Sequence, residues 1–207
     1  MGLMKKYFNN TRKPDGFAGK LMILGMNKGH TAVSLWGLGC MPNIQPESIL
    51  ELGCGGGKNV RRLLERFPDT VVTGLDYSDV SVEETRKANR KAIDAGRCQV
   101  IQGDVSDLPF PDESFDFATA FETIYFWPGP VDSFRQVQRV LKPGGRFMIV
   151  NESDGQNPQD EKWVSMIDGM RVYTKDDLRT ALMEAGFTSI VTHHDPKKHR
   201  LCLVATK

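Results

Sequence analysis

Residues 49–59 read Ile-Leu-Glu-Leu-Gly-Cys-Gly-Gly-Gly-Lys-Asn, an apolar run that passes directly into a cluster of glycines. The following segment, residues 60–67, carries apolar side chains at helical spacing. This order predicts a buried strand that turns abruptly into a helix. Glycine suits such a turn, because the backbone can take left-handed angles there and a ligand can approach the main chain closely. Glycine-rich turns between a strand and a helix are typical of α/β proteins that bind nucleotide-like ligands.

The spacing of the glycines excludes two common nucleotide motifs. A dinucleotide fingerprint has glycines at positions i, i+2 and i+5, whereas counting from Gly53 places Lys58 at the last of these positions. A phosphate-binding P-loop needs a glycine five residues before the last one and a Ser or Thr after the lysine, and this stretch has neither. What remains is an acidic residue followed by alternate glycines: Glu51, Gly53, Gly55 and Gly57.

Acidic residues follow the next two predicted strands. Asp76 comes after the β-branched and apolar run 70–75 and lies 19 residues beyond Gly57, where nucleotide-binding folds carry an acid for the ribose hydroxyls. A carboxylate can accept hydrogen bonds from both hydroxyls of such a diol. Asp104 follows the third predicted strand, Cys98 to Gln102. Each acid has a structural alternative as well, Asp76 as an acid at a helix N-terminus and Asp104 as a cap.

Together with the fourth predicted strand, 115–121, and the segment 139–145, these features resemble four motifs of the class I S-adenosylmethionine-dependent methyltransferases in their order and spacing. The resemblance covers roughly residues 48–150 and part of the C-terminal region. It is closest to the small-molecule group that includes the ubiquinone and menaquinone biosynthesis methyltransferases. It implies S-adenosyl-L-methionine as cofactor and methyl transfer to a small-molecule acceptor.

The resemblance also implies which positions contact the cofactor. Glu51 would engage its cationic amino group, directly or through water, and Asp76 would take the ribose hydroxyls. Asp104 would accept from the adenine amino group, while the backbone amide of Val105 meets the ring. The full set implied on matching positions is Glu51, Gly53, Gly55, Gly57, Asp76, Tyr77, Asp104, Val105 and Phe121.

Strands and helices alternate from Ser48 onward, which predicts a Rossmann-like α/β fold with a doubly wound, mostly parallel sheet of seven strands. Two β-rich runs, 188–193 and 201–205, are separated by a charged turn and predict an antiparallel C-terminal hairpin. Two pairs are typical of helix N-termini: Ser81 with Glu84, and Thr174 with Asp177.

Two stretches lie outside this alternation. Residues 1–47 read as a polar arm followed by helices around 17–26 and 31–41, which we interpret as a helical cover on an S-adenosylmethionine-binding domain at 48–207. Residues 152–173 are a polar insertion between the fifth strand and the last helix. Ligands of open α/β sheets bind at the carboxyl ends of the strands. We therefore expect both stretches to cover the site.

Composition narrows the possible partners. The 207 residues fit one domain, and a net charge of +1 argues against a nucleic-acid surface. The four cysteines are scattered, and His194 and His199 have a finger-like spacing without a cysteine pair, so we expect reduced thiols and no metal site. The amino terminus lacks the apolar core of a signal peptide, and no apolar stretch approaches membrane-spanning length. We expect a cytoplasmic monomer or homodimer without nucleic-acid or membrane partners.

Three residues are candidates on the acceptor side. Methyl transfer from a sulfonium is an in-line displacement that depends mainly on positioning, and a base is needed only if the acceptor must lose a proton. Glu122 could be that base, a ligand for a cationic amine, or a solvated loop acid. Tyr125, beside Phe126 and Trp127, could wall an aromatic or amine pocket, or pack as a lid. His30 could reach the site from the cover, or cap a helix.

The sequence favours a small-molecule methyltransferase and leaves other functions open. A non-catalytic module could retain the same pocket without transferring a methyl group. A nicotinamide-dependent Rossmann oxidoreductase is a further alternative, although the glycine spacing speaks against it. Aminopropyl transfer on the same fold is a minor one.

Overall fold

A seven-stranded sheet forms the centre of the computed structural model, which describes Phe8 and residues 11–207. Its strands are β1 (Ser48–Leu52), β2 (Val71–Asp76), β3 (Cys98–Gln102), β4 (Phe115–Phe121), β5 (Leu141–Asn151), β6 (Ser189–Asp195) and β7 (Arg200–Thr206). They lie in the order β3-β2-β1-β4-β5-β7-β6. Strands β1 to β5 are parallel, and β7 is antiparallel to both β5 and β6. This confirms the predicted Rossmann-like sheet with its antiparallel C-terminal hairpin.

Helices cover both faces of the sheet. They are α1 (Gly16–Gly29), α2 (Thr31–Gly39), α3 (Lys58–Arg66), α4 (Asp79–Ala88), α5 (Arg90–Asp94), α6 (Pro130–Val140), α7 (Asp160–Met166) and α8 (Lys175–Glu184), with a 3-10 turn at Ile124–Phe126. Successive side chains of a strand point to opposite faces. In β5, Phe147 therefore packs with apolar residues of α6 and α8, whereas Met148 packs with those of α2, α3 and α4. Each face thus has its own buried core.

Helix caps agree only in part with the sequence patterns. Thr174 and Asp177 form the predicted capping box at the start of α8. At α4, however, the cap is Ser78, whose hydroxyl accepts a hydrogen bond from the Ser81 amide at 3.3 Å. Ser78 has the extended backbone that an N-cap requires, so Ser81 is the amide donor inside the helix and not the cap. Ser78 and Ser81 are both serines near the start of α4, so the sequence alone does not show which of them is the cap.

The capping box makes a testable contribution to stability. We expect Thr174→Ala to lower the free energy of unfolding by about 1 kcal/mol, because the Asp177 amide loses its acceptor. Thr180→Ala is the matched control, since Thr180 is exposed inside the same helix and alanine is the better helix former. Urea unfolding of both variants measures the difference. Equal midpoints would show that the cap contributes nothing.

The two predicted cover segments lie at the edge where the parallel strands end. Helix α1 contacts α4, and Lys20 of α1 forms an ion pair with Glu83 of α4 at 3.5 Å. Helix α2 packs on β5. The segment between β5 and α8 includes α7. Most of the polar arm predicted before residue 11 lies outside the described residues, and the division into cover and domain stays a prediction.

Candidate functional site

The glycine turn connects β1 to α3 in left-handed backbone conformations. Gly53, Gly55 and Gly57 have φ values of +72°, +53° and +74°. The Gly53 amide donates to the carbonyl oxygen of Leu75 at 2.8 Å, which ties the turn to the end of β2. Left-handed φ angles favour glycine, because a Cβ is disfavoured there. The spacing that the sequence shows is therefore required by the backbone.

A cavity of about 330 Å³ opens at the carboxyl ends of β1 to β4. Seven of the predicted cofactor residues line it: Gly53, Gly55, Asp76, Tyr77, Asp104, Val105 and Phe121. Gly57 does not, because it caps α3 behind the turn. Glu51 is not in the lining either. This cavity is large enough, and suitably placed, to be the nucleotide-like site that the turn predicts.

Glu51 lies beneath the cavity floor and not in it. Its side chain is buried and accepts a hydrogen bond from the Thr119 hydroxyl, with a second one from Asn59. Burial raises the pKa of Glu51 to about 8, and these two hydrogen bonds oppose the rise. Asn59 lines the cavity. The structure therefore connects Glu51 to the cavity through Asn59, and its contact with the cofactor amino group, directly or through water, stays a prediction.

Asp76 lies at the floor of the cavity with its carboxylate partly engaged. Oδ2 accepts from the Gly55 amide and Oδ1 from the Ser78 amide, each at 2.9 Å. Burial raises the pKa of Asp76, against the opposing effect of these amides. A carboxylate oxygen has two lone pairs. Each oxygen can thus accept one further hydrogen bond from a ligand in the cavity.

Asp104 and Val105 line the opposite wall. Oδ1 of Asp104 accepts from the backbone amide and the hydroxyl of Ser106 at 2.8 and 2.7 Å, which fixes the side chain in a local turn. Asp104 is exposed, and Val105 is buried. The pair offers a carboxylate beside an apolar surface. The carboxylate suits the hydrogen-bonding edge of a nucleobase, and the apolar surface suits the face of its ring.

Residues 11–15 run across this cavity, a contact that sequence patterns did not predict. The Tyr77 hydroxyl donates to the Arg12 carbonyl oxygen, and the Ser78 hydroxyl donates to that of Pro14 at 2.7 Å. The Arg12 guanidinium donates to the carbonyl oxygen of Asp168 in the insertion at 3.3 Å. The segment therefore links the turn after β2 to the 152–173 insertion over the site.

A second cavity of about 230 Å³ adjoins the first. Most of its wall is apolar, formed by Phe8, Met22, Met26, Phe126, Trp163, Ile167 and Met170. Tyr125 lines it too, with its hydroxyl accepting from the Ser153 amide at 3.2 Å. His30, Glu122 and Phe126 line both cavities. All three predicted acceptor-side residues thus meet at or beside the junction.

Glu122 and His30 are connected at this junction through Glu152. Glu122 has φ +59°, a strained conformation for a residue other than glycine, and its carboxylate accepts from the Glu152 amide. Burial raises the pKa of Glu122 to about 8. Burial lowers the pKa of His30, but hydrogen bonding to Glu152 and the charge of Glu122 outweigh it, so the pKa is raised. One side-chain nitrogen or oxygen from each of the three residues lies within 4.8 Å of those of the other two.

The other histidines lie away from the cavities. His194 and His199 both contact the buried carboxylate of Asp154, at 2.8 and 3.1 Å, which ties the insertion to the C-terminal hairpin. Burial alone would raise the pKa of Asp154. The hydrogen bonds to the two histidines outweigh that effect, so the pKa is lowered. The two histidines with the finger-like spacing thus share one carboxylate partner.

None of the described helices is long and apolar enough to cross a membrane.

Comparison with known proteins gives consistent matches. Residues 50–149 match a family described as "Methyltransferase domain". The O-methyltransferase cnsE of Penicillium expansum is 34% identical over 150 residues, covering 70% of this chain and 54% of that protein. The cycloartenol-C-24-methyltransferase of Arabidopsis thaliana is 33% identical over 159 residues, covering 71% of this chain and 46% of that protein. The chain therefore spans about half the length of these curated relatives.

A solved structure shows the same fold. A chain from the complex between the Haloferax volcanii Trm112 methyltransferase activator and a methyltransferase superposes with a TM-score of 0.79 at 23% identity, covering 89% of this chain and 92% of that chain. The glycine turn, the acids at the strand ends and the matched domain agree with one another. The chain belongs to the class I S-adenosylmethionine-dependent methyltransferases.

Proposed function

We propose that this chain binds S-adenosyl-L-methionine in the first cavity and transfers its methyl group to a small molecule in the second. The observation that carries this proposal is the junction of the two cavities at His30, Glu122 and Phe126. An acceptor atom in the apolar cavity can face a methyl group presented from the glycine-turn cavity. In-line displacement needs that alignment and the exclusion of water more than it needs a dedicated reagent.

The residues around the first cavity supply contacts for each part of the cofactor. Asp76 would accept hydrogen bonds from the ribose hydroxyls, and Asp104 from the adenine amino group beside Val105. The glycine turn allows the ligand to approach the backbone, and Tyr77 and Phe121 add ring surfaces. When bound, the cofactor supplies an electrophilic methyl group on a sulfonium.

The residues around the second cavity would position the acceptor. Tyr125 and Phe126 offer aromatic walls, and His30 and Glu122 offer titratable groups at the junction. The apolar lining suits a small molecule with a largely apolar body. We also propose a cytoplasmic location, for which the scattered cysteines of the sequence are the support.

Cofactor binding tests this proposal first. We expect calorimetry to show binding of S-adenosyl-L-methionine and none of a nicotinamide dinucleotide. Tight nicotinamide binding would instead support the oxidoreductase. Methyl transfer from labelled cofactor to a metabolite pool is the second step, and binding without transfer to any pool would support a non-catalytic module.

The adenine contact gives a specific expected result. We expect Asp104→Ala to weaken cofactor binding about tenfold, the effect of losing one hydrogen bond to a charged group. Asp107→Ala is the matched control, because Asp107 is an exposed acid of the same turn that does not line the cavity. Calorimetry measures both affinities. Equal affinities of the two variants would contradict the adenine assignment.

A further inference from the structure

Glu152 is the residue that connects the two proton-accepting groups on the acceptor side. It follows β5 directly and begins the 152–173 insertion. Its backbone amide donates to the Glu122 carboxylate, and its own Oε1 lies 3.4 Å from Nε2 of His30. His30 occupies the short junction between α1 and α2, so its backbone is fixed by both helices. Glu152 therefore determines how the imidazole and the second carboxylate face the junction of the cavities.

A carboxylate beside one imidazole nitrogen favours a particular proton arrangement. It favours a proton on Nε2, which leaves the lone pair on Nδ1, and it stabilises the imidazolium once Nδ1 is protonated. The charged groups that act on His30 are the carboxylates of Glu122 and Glu152. Both are acidic and both raise the pKa of the imidazole. His30 is thereby a stronger base than an isolated imidazole, and it can accept a proton wherever the pH leaves the ring neutral.

We propose, resting on the methyl transfer proposed above, that the acceptor is a largely apolar molecule bearing a hydroxyl group, and that His30, positioned by Glu152, accepts the hydroxyl proton. The O–H bond breaks and its proton moves to the imidazole. The oxygen electron pair forms the bond to the methyl carbon. The carbon–sulfur bond breaks with its electron pair on sulfur, which leaves as a neutral thioether. The imidazolium then releases its proton to solvent.

A hydroxyl group fits this site better than an amine. A neutral hydroxyl is a weak nucleophile, so it gains most from a base at the moment of attack. An amine attacks through its lone pair, and the neighbouring Glu152 carboxylate would favour the protonated form, which has none. The remaining walls are apolar and contain Met22, Met26 and Met170, whose flexible thioethers adapt to varied shapes.

The position of the transferred methyl group tests the acceptor class. The purified protein is incubated with S-adenosyl-L-methionine carrying a ¹³C-methyl group and a small-molecule extract of the cells that produce the chain. The carbon chemical shift of the product distinguishes a methyl group on oxygen from one on nitrogen, sulfur or carbon. We expect an O-methyl product. Methyl groups on another atom would overturn this inference and leave the proposed function standing, whereas no transfer would overturn both.

Variants test the His30–Glu152 pair on the extract fraction that is methylated. We expect His30→Gln to lower kcat by about 10²–10⁴, the usual contribution of a general base. Glu152→Gln keeps the backbone amide that binds Glu122 but removes the charge beside the imidazole. Because that charge raises the pKa of His30, its loss should move the rising limb of the pH–rate profile to lower pH and lower the maximal rate.

Glu161→Gln is the matched control, since Glu161 is an exposed acid of the same insertion that lines neither cavity. We expect it to keep the wild-type profile. A structural role for Glu152 would lower the rate without moving the profile along the pH axis. An unmoved profile in Glu152→Gln, or wild-type kcat in His30→Gln, would overturn the proposed proton transfer.

Discussion

Replacement of Gly53 by alanine is expected to lower the free energy of unfolding by about 2–5 kcal/mol. A left-handed φ of +72° costs an L-residue about 1–2 kcal/mol. The new Cβ would also lie 2.2 Å from Oγ1 and 2.8 Å from Cβ of Thr123, and overpacking of this kind costs about 1–3 kcal/mol. Domains of this size are stable by only about 5–15 kcal/mol. The variant therefore loses a large part of its stability.

The effect of this substitution should extend beyond the turn. Relief of the contact requires the Cβ of Thr123 to move, and the Thr123 hydroxyl accepts from the Trp127 indole at 3.2 Å. Trp127 stacks on Phe147 with the ring centroids 6.1 Å apart. Movement at Thr123 would thus disturb the core on one sheet face and the wall of the first cavity, which Thr123 and Trp127 both line. We expect cofactor binding to weaken together with stability.

Gly96→Ala is the matched control for Gly53→Ala. Gly96 has nearly the same φ, +73°, but an added Cβ would meet no atom within 4 Å. We expect this variant to lose only the backbone contribution of about 1–2 kcal/mol. Urea unfolding compares the two variants. If both lost the same free energy, the close approach of Thr123 would contribute nothing.

Local patterns predicted the sheet well because its strands are bounded by strong turn signals. The bounds of β3 and β4 agree with the predicted runs Cys98–Gln102 and Phe115–Phe121. Cys98–Gln102 is followed by Gly103 and Asp104, and Phe115–Phe121 is preceded by the turn-like stretch 111–114. The order of such runs also predicted the parallel sheet and the closing hairpin. Residue propensity and spacing report on short segments of the chain, and the bounds and order of the strands depend on such segments.

The acidic residues show where local reasoning ends. Asp76 is the last residue of β2 and Asp104 lies just after β3, and both line the cavity. Glu51 lies one residue before the end of β1, in register with Thr119 of β4, and its buried carboxylate accepts from the Thr119 hydroxyl. In each case the sequence shows only an acid at or near the end of a predicted strand. Only the register of the strand decides which one a ligand can touch.

Contacts across long sequence separations could not be predicted. The bond between Tyr77 and Arg12 joins residues 65 positions apart, and Glu152 meets Glu122 across 30 positions and His30 across more than 100. No periodicity or spacing reports such pairs. Membership in the ubiquinone-like subgroup of the family likewise stays a prediction, because the subgroup depends on the residues that form the walls of the acceptor cavity. Those walls come from α1, α7 and the turn after β4.

Asp76→Ala is expected to weaken binding of S-adenosyl-L-methionine by about 100-fold or more. Two hydrogen bonds from ribose hydroxyls to a carboxylate are worth about 1.5–3 kcal/mol each, and every 1.4 kcal/mol is about tenfold in affinity. The same substitution removes the acceptor of the Gly55 and Ser78 amides. The turn around the cofactor should therefore loosen as well. Calorimetry measures the affinity, and urea unfolding measures the loss of stability separately.

Two variants separate the ribose contact from the effect on the turn. Asp79→Ala removes a nearby acid that starts α4, accepts from the Val80 amide and does not line the cavity, so the affinity of this variant should match wild type. Asp76→Asn keeps one acceptor oxygen and should restore part of the stability but little of the affinity, because the amide nitrogen can no longer accept from a hydroxyl. Wild-type affinity in a folded Asp76→Ala protein would contradict the ribose assignment. Equal weakening by Asp79→Ala would show that the general charge near α4, and not the Asp76 carboxylate, attracts the cofactor.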